Sequence, residues 1–283
     1  MLQKTKILGR TNLALSPLGL GTTEIGYNYG IGPRDLPSEE ETNALLNRAL
    51  ELGINFIDTA HFYGVAEERI GRSGIAKREG VVVATKCGHI LDRGLPVTAE
   101  ELEKQIRGEV EESRRKLDLD TLTLMLLHGG SAEQIKSGML TAIMQRIKDE
   151  NKVRFVGIST RGEETPLAAI ESGFFDVLQL GHSILDQRMT SRVMPAAKEK
   201  NLGIINRSVL LKGVLTPARQ YLTDELKPLK DNADEAEKIA LEIGTDLPSL
   251  ALRFALSSPH VDVALVGSNK IAHLERAVEA ASA

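Results

Sequence analysis

Apolar positions along this chain follow two rhythms that take turns. Short runs rich in β-branched residues, such as 81–85 and 155–159, are apolar at nearly every position, whereas the longer stretches between such runs repeat their apolar residues every three or four positions. The first rhythm suits a strand covered on both faces, and the second a helix with one buried stripe. The pair recurs eight times. It predicts strands at 18–21, 55–58, 81–85, 122–127, 155–159, 177–180, 203–206 and 263–266, and helices near 39–52, 66–77, 99–117, 134–148, 165–172, 192–200, 247–257 and 271–280. Alternation of this kind builds a parallel sheet wound by helices.

Local punctuation agrees with that layout. Ser38 stands at a helix start with Glu41 three residues on, the two halves of a capping box, and Gly53 and Gly173 stand where helices must end. Upstream of the first strand, 5–8 and 13–16 flank the turn Gly9-Arg10-Thr11-Asn12, the pattern of a β-hairpin. No Pro/Ser-rich linker divides the chain, so residues 1–283 are expected to form a single domain. Eight strand–helix pairs favour a closed (β/α)8 TIM barrel, with the hairpin closing its bottom, over an open sheet. No G-x-G-x-x-G follows the first strand, as a Rossmann domain would need. The connections 22–37 and 208–230 are long enough to carry function.

Composition narrows the function classes. With 42% apolar and 26% charged residues, the chain is neither disordered nor a coiled coil. A net charge of -4 offers no basic excess for a nucleic-acid backbone, so nucleic acid is not an expected partner. The longest apolar runs, at 81–84 and 124–127, fall far short of the roughly 20 residues that span a bilayer, and the first ten residues lack the apolar core of an export signal. No membrane association is expected. A single cysteine, Cys87, excludes an internal disulfide and suits a cytoplasmic location; it is expected to be a quiet buried thiol. The oligomeric state is not indicated.

A barrel enzyme keeps its chemistry at the C-terminal ends of its strands. The second strand runs into Asp58-Thr59-Ala60-His61-Phe62-Tyr63-Gly64, the third into Thr85-Lys86-Cys87-Gly88-His89, and the fourth into Leu127-His128-Gly129-Gly130. A carboxylate, a phenol, an ammonium and an imidazole are thereby expected on one rim, joined by His61, His89 and His182. A free phenol, titrating near pH 10, exchanges protons poorly at neutrality, and a neighbouring ammonium favours its ionised form. Lys86 would supply that ammonium, Asp58 would hold it charged and oriented, and His128 would donate a hydrogen bond where negative charge develops on a substrate oxygen. Each residue taken singly has a structural alternative: Asp58 capping a turn, Lys86 neutralising it, Tyr63 a wall residue, His128 a satisfied rim histidine. A metal centre of His61, His89, His128 and Asp58 is a further alternative, but neither His-x-His nor H-E-x-x-H occurs, and no metal is expected.

Over essentially its whole length the chain resembles the aldo-keto reductase family. The matching motifs are Gly19-Leu20-Gly21-Thr22, Gly53-Ile54-Asn55-Phe56-Ile57-Asp58-Thr59-Ala60 with Tyr63-Gly64, Ala84-Thr85-Lys86, Leu126-Leu127-His128, Gly157-Ile158-Ser159 and Val266-Gly267-Ser268. The resemblance implies hydride transfer between nicotinamide and a small-molecule carbonyl or hydroxyl substrate, with Asp58, Tyr63, Lys86 and His128 as the catalytic tetrad and Tyr63 as its acid/base. It implies a cofactor site containing Thr22, then Ser159, Thr160 and Gln179 on the carboxamide. Arg207, Ser208, Leu210, Lys212 and Gly213 follow the seventh strand, and Gly267, Ser268, Asn269 and Lys270 receive the adenosine phosphate.

Departures from the family pattern bear on the details. Lys270, His273 and Arg276 make the last helix start cationic, which favours the 2′-phosphate of NADP, with NAD the alternative. The family often has arginine in place of His273, a Glu-Asn pair in place of Arg276-Ala277, and asparagine in place of Thr160. Many members carry a nicotinamide-stacking aromatic where this chain has Arg207. Some sugar-oxidising relatives also lack that aromatic and keep an asparagine like Asn206, so aldose or lactol oxidation is a second reading. A cofactor-binding regulatory module without useful turnover is the non-enzyme alternative. His182 stands where many relatives have tyrosine, and Tyr27, Tyr29, His61 and His89 are expected at the mouth, a rim suited to a hydroxylated or charged substrate.

Overall fold

In the computed structural model, which describes residues 1–283 except 3, 94–97 and 283, the chain opens with two antiparallel strands, β1 (Lys6–Ile7) and β2 (Ala14–Leu15). Eight parallel strands follow: β3 (Leu18–Gly21), β4 (Phe56–Asp58), β5 (Val82–Cys87), β6 (Leu122–His128), β7 (Val153–Ser159), β8 (Val177–Gly181), β9 (Gly203–Arg207) and β10 (Val263–Gly267). They close into a barrel in the order β10-β3-β4-β5-β6-β7-β8-β9. All eight expected strands form, and five of them run on by one or two residues at their C-terminal ends, which carries Lys86, His128 and Arg207 into regular structure.

The period of two along each strand separates two cores. Phe56, Val82, Ala84, Leu124, Leu126, Val177, Ile205, Val263 and Leu265 pack together inside the barrel. Their neighbours Ile57, Val83, Met125, Leu127, Val156, Ile158, Leu178, Ile204 and Ala264 pack outward against the helices. Space inside is tight: a Cβ on Gly19 would lie 2.7 Å from the Phe56 ring and 2.8 Å from Leu265. Leu8 and Leu15, both fully buried, come from the hairpin and complete the inner core at the strand starts. The hairpin turn lies so close that a Cβ on Gly9, whose φ is +47°, would meet the Gly203 nitrogen at 2.2 Å. The expected plug at the bottom is therefore present.

The helices are α1 (Thr23–Gly26), α2 (Glu39–Glu51), α3 (Ala66–Ser73), α4 (Ala99–Leu117), α5 (Ala132–Lys136), α6 (Met139–Asp149), α7 (Glu164–Glu171), α8 (Val193–Glu199), α9 (Lys227–Glu242), α10 (Leu247–Ser257) and α11 (Ile271–Ser282). The capping box of α2 closes in both directions, Glu41 N–H to Ser38 Oγ at 3.1 Å and Ser38 N–H to Glu41 Oε2 at 2.8 Å. Three expectations need correction. The helix placed at 134–148 is two helices, because Gly138 takes φ +79° between them. The one placed at 66–77 ends at Ser73, where Gly74 takes φ +72°, and a single 3-10 turn follows. Finally, α9 occupies what was read as a loop and the residues after it. Its buried face is Ala233, Ala236 and Ala240, too small to stand out, while Ile239 and Leu241 are exposed. No helix among the described residues is long and apolar enough to cross a membrane.

If the hairpin is part of the inner core, Leu8→Ala should lower stability by about 2–5 kcal/mol, the usual cost of emptying a buried leucine site. Urea unfolding followed by circular dichroism measures this, and an unchanged midpoint would show that the hairpin only rests on the barrel.

Candidate active site

The inward-facing positions that are apolar low in the barrel turn polar at its top. Two residues beyond Phe56 comes Asp58, beyond Ala84 comes Lys86, beyond Leu126 comes His128, beyond Val177 comes Gln179, and beyond Ile205 comes Arg207. Register places Asp58 beside Ala84, Lys86 beside Leu126, and His128 beside Ser159, which in turn pairs with Gln179. Lys86 is 1% exposed and donates to Asp58 Oδ2 at 2.7 Å and to the Thr59 carbonyl at 2.8 Å. The other carboxylate oxygen of Asp58 accepts from Gln179 Nε2 at 2.7 Å.

Tyr63 reaches the same point from the loop after β4. Its ring centroid lies 4.9 Å from Lys86 Nζ and 5.8 Å from the His128 ring, which it meets edge-on. Asp58, Tyr63 and His128 line one cleft of about 610 Å³, with Lys86 directly behind. Burial works against the Lys86 ammonium, but the Asp58 carboxylate and the Tyr63 phenol together outweigh it and hold the lysine pKa above its usual value. The reverse holds at His128, whose pKa falls to about 2, first through burial and then through the charge of Lys86. That imidazole is neutral at physiological pH. Its neighbour His89, stacked on Phe62 at 3.6 Å between centroids, is also lowered by burial.

The cleft continues past this cluster. Ser159 and Gln179 line its near side; Gly21 and Gly267, paired across β3 and β10, present bare backbone to it. Ser208, Leu210, Lys212 and Gly213 come from the loop after β9, and His273 and Arg276 from α11. Arg207, at the end of β9, lines it as well, whereas Thr22, Thr160, Ser268, Asn269 and Lys270 do not. Thr22 is fully buried and its hydroxyl donates to the Asp58 carbonyl at 2.9 Å. Thr160 is buried with its hydroxyl unpartnered, and its carbonyl accepts from Arg207 Nη2 at 2.7 Å. Ser268 Oγ accepts from the Lys270 N–H at 3.0 Å, and Asn269 Nδ2 donates to the Asp35 carbonyl at 3.2 Å.

The sequence profile of the Aldo/keto reductase family matches residues 17–283. The chain belongs to the aldo-keto reductase family. It is thus an NAD(P)H-dependent oxidoreductase of carbonyl chemistry. Among proteins it is similar to, L-galactose dehydrogenase of Arabidopsis thaliana is 30% identical, with 97% of this chain and 87% of that protein covered. D-threo-aldose 1-dehydrogenase of a Pseudomonas species is 28% identical, over 95% and 90%. NADH-specific methylglyoxal reductase of Escherichia coli is 27% identical, over 92% and 88%. Among solved structures, an aldo-keto reductase from Bacillus halodurans in holo form superposes with a TM-score of 0.79 at 24% identity, covering 99% of this chain and 91% of that one.

In this aldo-keto reductase the cleft suits the family's dinucleotide. Bare backbone at Gly21 and Gly267, the Ser159 side chain and the cations Lys212 and Arg276 are the donors and open surfaces such a group needs. Two rim histidines were misplaced by the sequence reading. His61 turns outward, its Nε2 2.8 Å from Glu112 Oε2, and His182 is buried against Phe254 with 5.2 Å between centroids. Asn206 is likewise withdrawn, its Oδ1 accepting from the His182 N–H at 2.9 Å. Tyr27, Tyr29 and His89 do line the cleft. Sequence reasoning missed two ion pairs there, Arg34 with Glu24 and Arg161 with Asp92, each at 2.7 Å. Arg161 lies two residues past the end of β7, which was the one available signal. Cys87 is buried, and its thiol pKa is pushed well up by burial and then by Glu109. Among the described residues no three His, Cys, Asp or Glu side chains are grouped to hold a metal.

Replacing Asp58 by Asn keeps the shape but leaves a buried ammonium without its counter-charge. Asp58→Asn should cost about 3 kcal/mol or more in denaturant unfolding at neutral pH. A loss below about 0.5 kcal/mol, the range of ordinary surface changes, would show that Lys86 does not need the carboxylate.

Proposed function

We propose that the chain is an NADP-preferring reductase of aldehydes and ketones, acting also on the corresponding alcohols, with Tyr63 as its acid/base. One observation carries the reading: the buried Lys86–Asp58 pair, closed at 2.7 Å, lies under the Tyr63 ring while a neutral imidazole flanks it on the cleft wall. When bound, nicotinamide would supply or accept the hydride at the substrate carbon. His128, being uncharged, donates a hydrogen bond to the carbonyl oxygen without protonating it. Tyr63 gives its proton to that oxygen as negative charge develops there, and Lys86 stabilises the phenolate left behind. Asp58 keeps Lys86 in place and charged, and is itself held by Gln179. In the oxidative direction Tyr63 takes the proton instead.

Ser159, Thr160 and Gln179 would hold the carboxamide; the Gln179 nitrogen is committed to Asp58, which leaves its oxygen as the acceptor. Gly267, Ser268, Asn269 and Lys270 would receive the adenosine phosphate, with Thr22, Ser208, Leu210, Lys212 and Gly213 shaping the approach. NADP preference rests on charge. Burial, then Lys270, Arg276 and Arg34, lowers the His273 pKa, so three cations converge at the start of α11. We read residues 1–283 as one domain acting in the cytoplasm on a small molecule. The second reading, aldose oxidation, is favoured by the two relatives named as sugar dehydrogenases, and a screen of aldoses with NADP+ decides it.

Tyr63→Phe should lower turnover of an aldehyde with NADPH by about 10²–10⁴-fold, the usual worth of a positioned acid. Fluorescence titration should find NADPH affinity within about threefold of the parent, since a change of roughly 0.7 kcal/mol is all that allows; near-parental turnover would remove Tyr63 from its role. The parent kcat/KM should favour NADPH over NADH by about tenfold or more, one charge-assisted hydrogen bond, and Arg276→Ala should erase most of that margin. A parent that works better with NADH would end the NADP assignment.

A further inference from the structure

Of the cations in and behind the cleft, several have a carboxylate of their own. Lys86 has Asp58, Arg34 has Glu24 and Arg161 has Asp92, each at 2.7 Å. Arg207 has none within 4.0 Å among the described residues. It ends β9 on the inward-facing row above Ile205, lines the cleft, and is partly buried. Its guanidinium is nonetheless fixed: Nη2 donates to the Thr160 carbonyl at 2.7 Å and Nη1 to Ser208 Oγ at 3.1 Å. Thr160 follows directly on Ser159, the partner of His128 in the sheet, so the anchored fork stands one strand away from the imidazole.

A charge kept out of water without a counter-ion is costly, and burial does depress the Arg207 pKa. Bonding one carbonyl and one hydroxyl does not require a cation, since a neutral amide would serve. A guanidinium has five N–H donors, and two are used here. The rest form a planar fork suited to a carboxylate, held by two parallel bonds. The other anion expected in this cleft, the cofactor's phosphate, has cations of its own in Lys270 and Arg276 around His273. Arg207 instead lies within electrostatic reach of Tyr63, which raises its pKa, and of His128, whose pKa it helps to lower, the groups read above as serving the substrate oxygen.

We infer that Arg207 is the substrate-recognition cation of this enzyme, and that its substrates are carbonyl compounds bearing a carboxylate, or the matching hydroxy acids. The assignment rests on the Tyr63 reading for the position of the reacting carbon. It takes Arg207 out of the cofactor set in which the family pattern would place it. Arg161, exposed and already paired with Asp92, sits beside the same opening and adds to the attraction without being spent on it.

The test compares ω-oxo acids of two to four carbons with their neutral amides, using the whole protein and saturating NADPH. For at least one pair the acid should be preferred by about a hundredfold in kcat/KM, mostly through KM, because the guanidinium contacts a group that does not react. Arg207→Leu should collapse that ratio toward unity, and Arg207→Lys should keep part of it. Calorimetric binding of succinate against succinamide to the NADP+ complex gives a readout that needs no turnover. Succinate binding that depends on Arg207, in a protein that reduces nothing, would uphold this inference and sink the reductase reading. A parent that does not distinguish acids from amides in either assay overturns the inference. So does an Arg207→Leu variant that loses both substrates equally together with its NADPH affinity, for the guanidinium would then belong to the cofactor.

Discussion

Everything at the top of this barrel is organised around a single buried ion pair. An ammonium and a carboxylate removed from water are tolerable only when each finds nearly all of its partners inside the protein. Here Lys86 spends two bonds on Asp58 and the Thr59 carbonyl, and Asp58 spends its second oxygen on Gln179. Three strands, β4, β5 and β8, are thereby tied together across the barrel's interior. Because side chains alternate with a period of two, slipping any of these strands by one residue would turn its polar group into the helix-facing core. The pair therefore specifies register as well as chemistry, and the apolar layer of Phe56, Ala84 and Leu126 beneath it keeps it dry.

That layering explains how much of the molecule was legible beforehand. The strands were readable because they are covered on both faces and so open on apolar runs, as β5 does from Val82 to Ala84. Asp58, Lys86 and His128 were readable because each ends such a run. What a linear pattern lacks is direction once the strand has stopped. His61 lies three residues past Asp58 and His182 one past Gly181, yet one turns outward to Glu112 and the other under Phe254. Pairs formed within or between loops, such as Glu24 with Arg34, leave no periodic trace at all. Helix α9 escaped for a different reason, since a stripe of alanines buries surface without announcing itself as hydrophobic.

Charge is graded along the cleft. Near Tyr63 the two imidazoles of His89 and His128 are held neutral by burial, so they can donate or stack without adding to the cationic total. Elsewhere on the lining, Lys212 and Arg276 stand without carboxylates among the described residues, and at the start of α11 the His273 pKa is lowered by burial and the cations around it. A long anionic cofactor and an acidic substrate would thus meet positive charge at their far ends and an uncharged, polar surface where bonds change.

The hairpin at the opposite pole has a consequence for traffic. With Leu8 and Leu15 packed at the strand starts and Gly9 pressed against β9, the barrel interior is closed at that pole among the described residues. Among the described residues, protons that replenish the phenol then share the cleft at the opposite pole with reactant and product, so whatever occupies that cleft last also governs when the acid can be reset for another cycle.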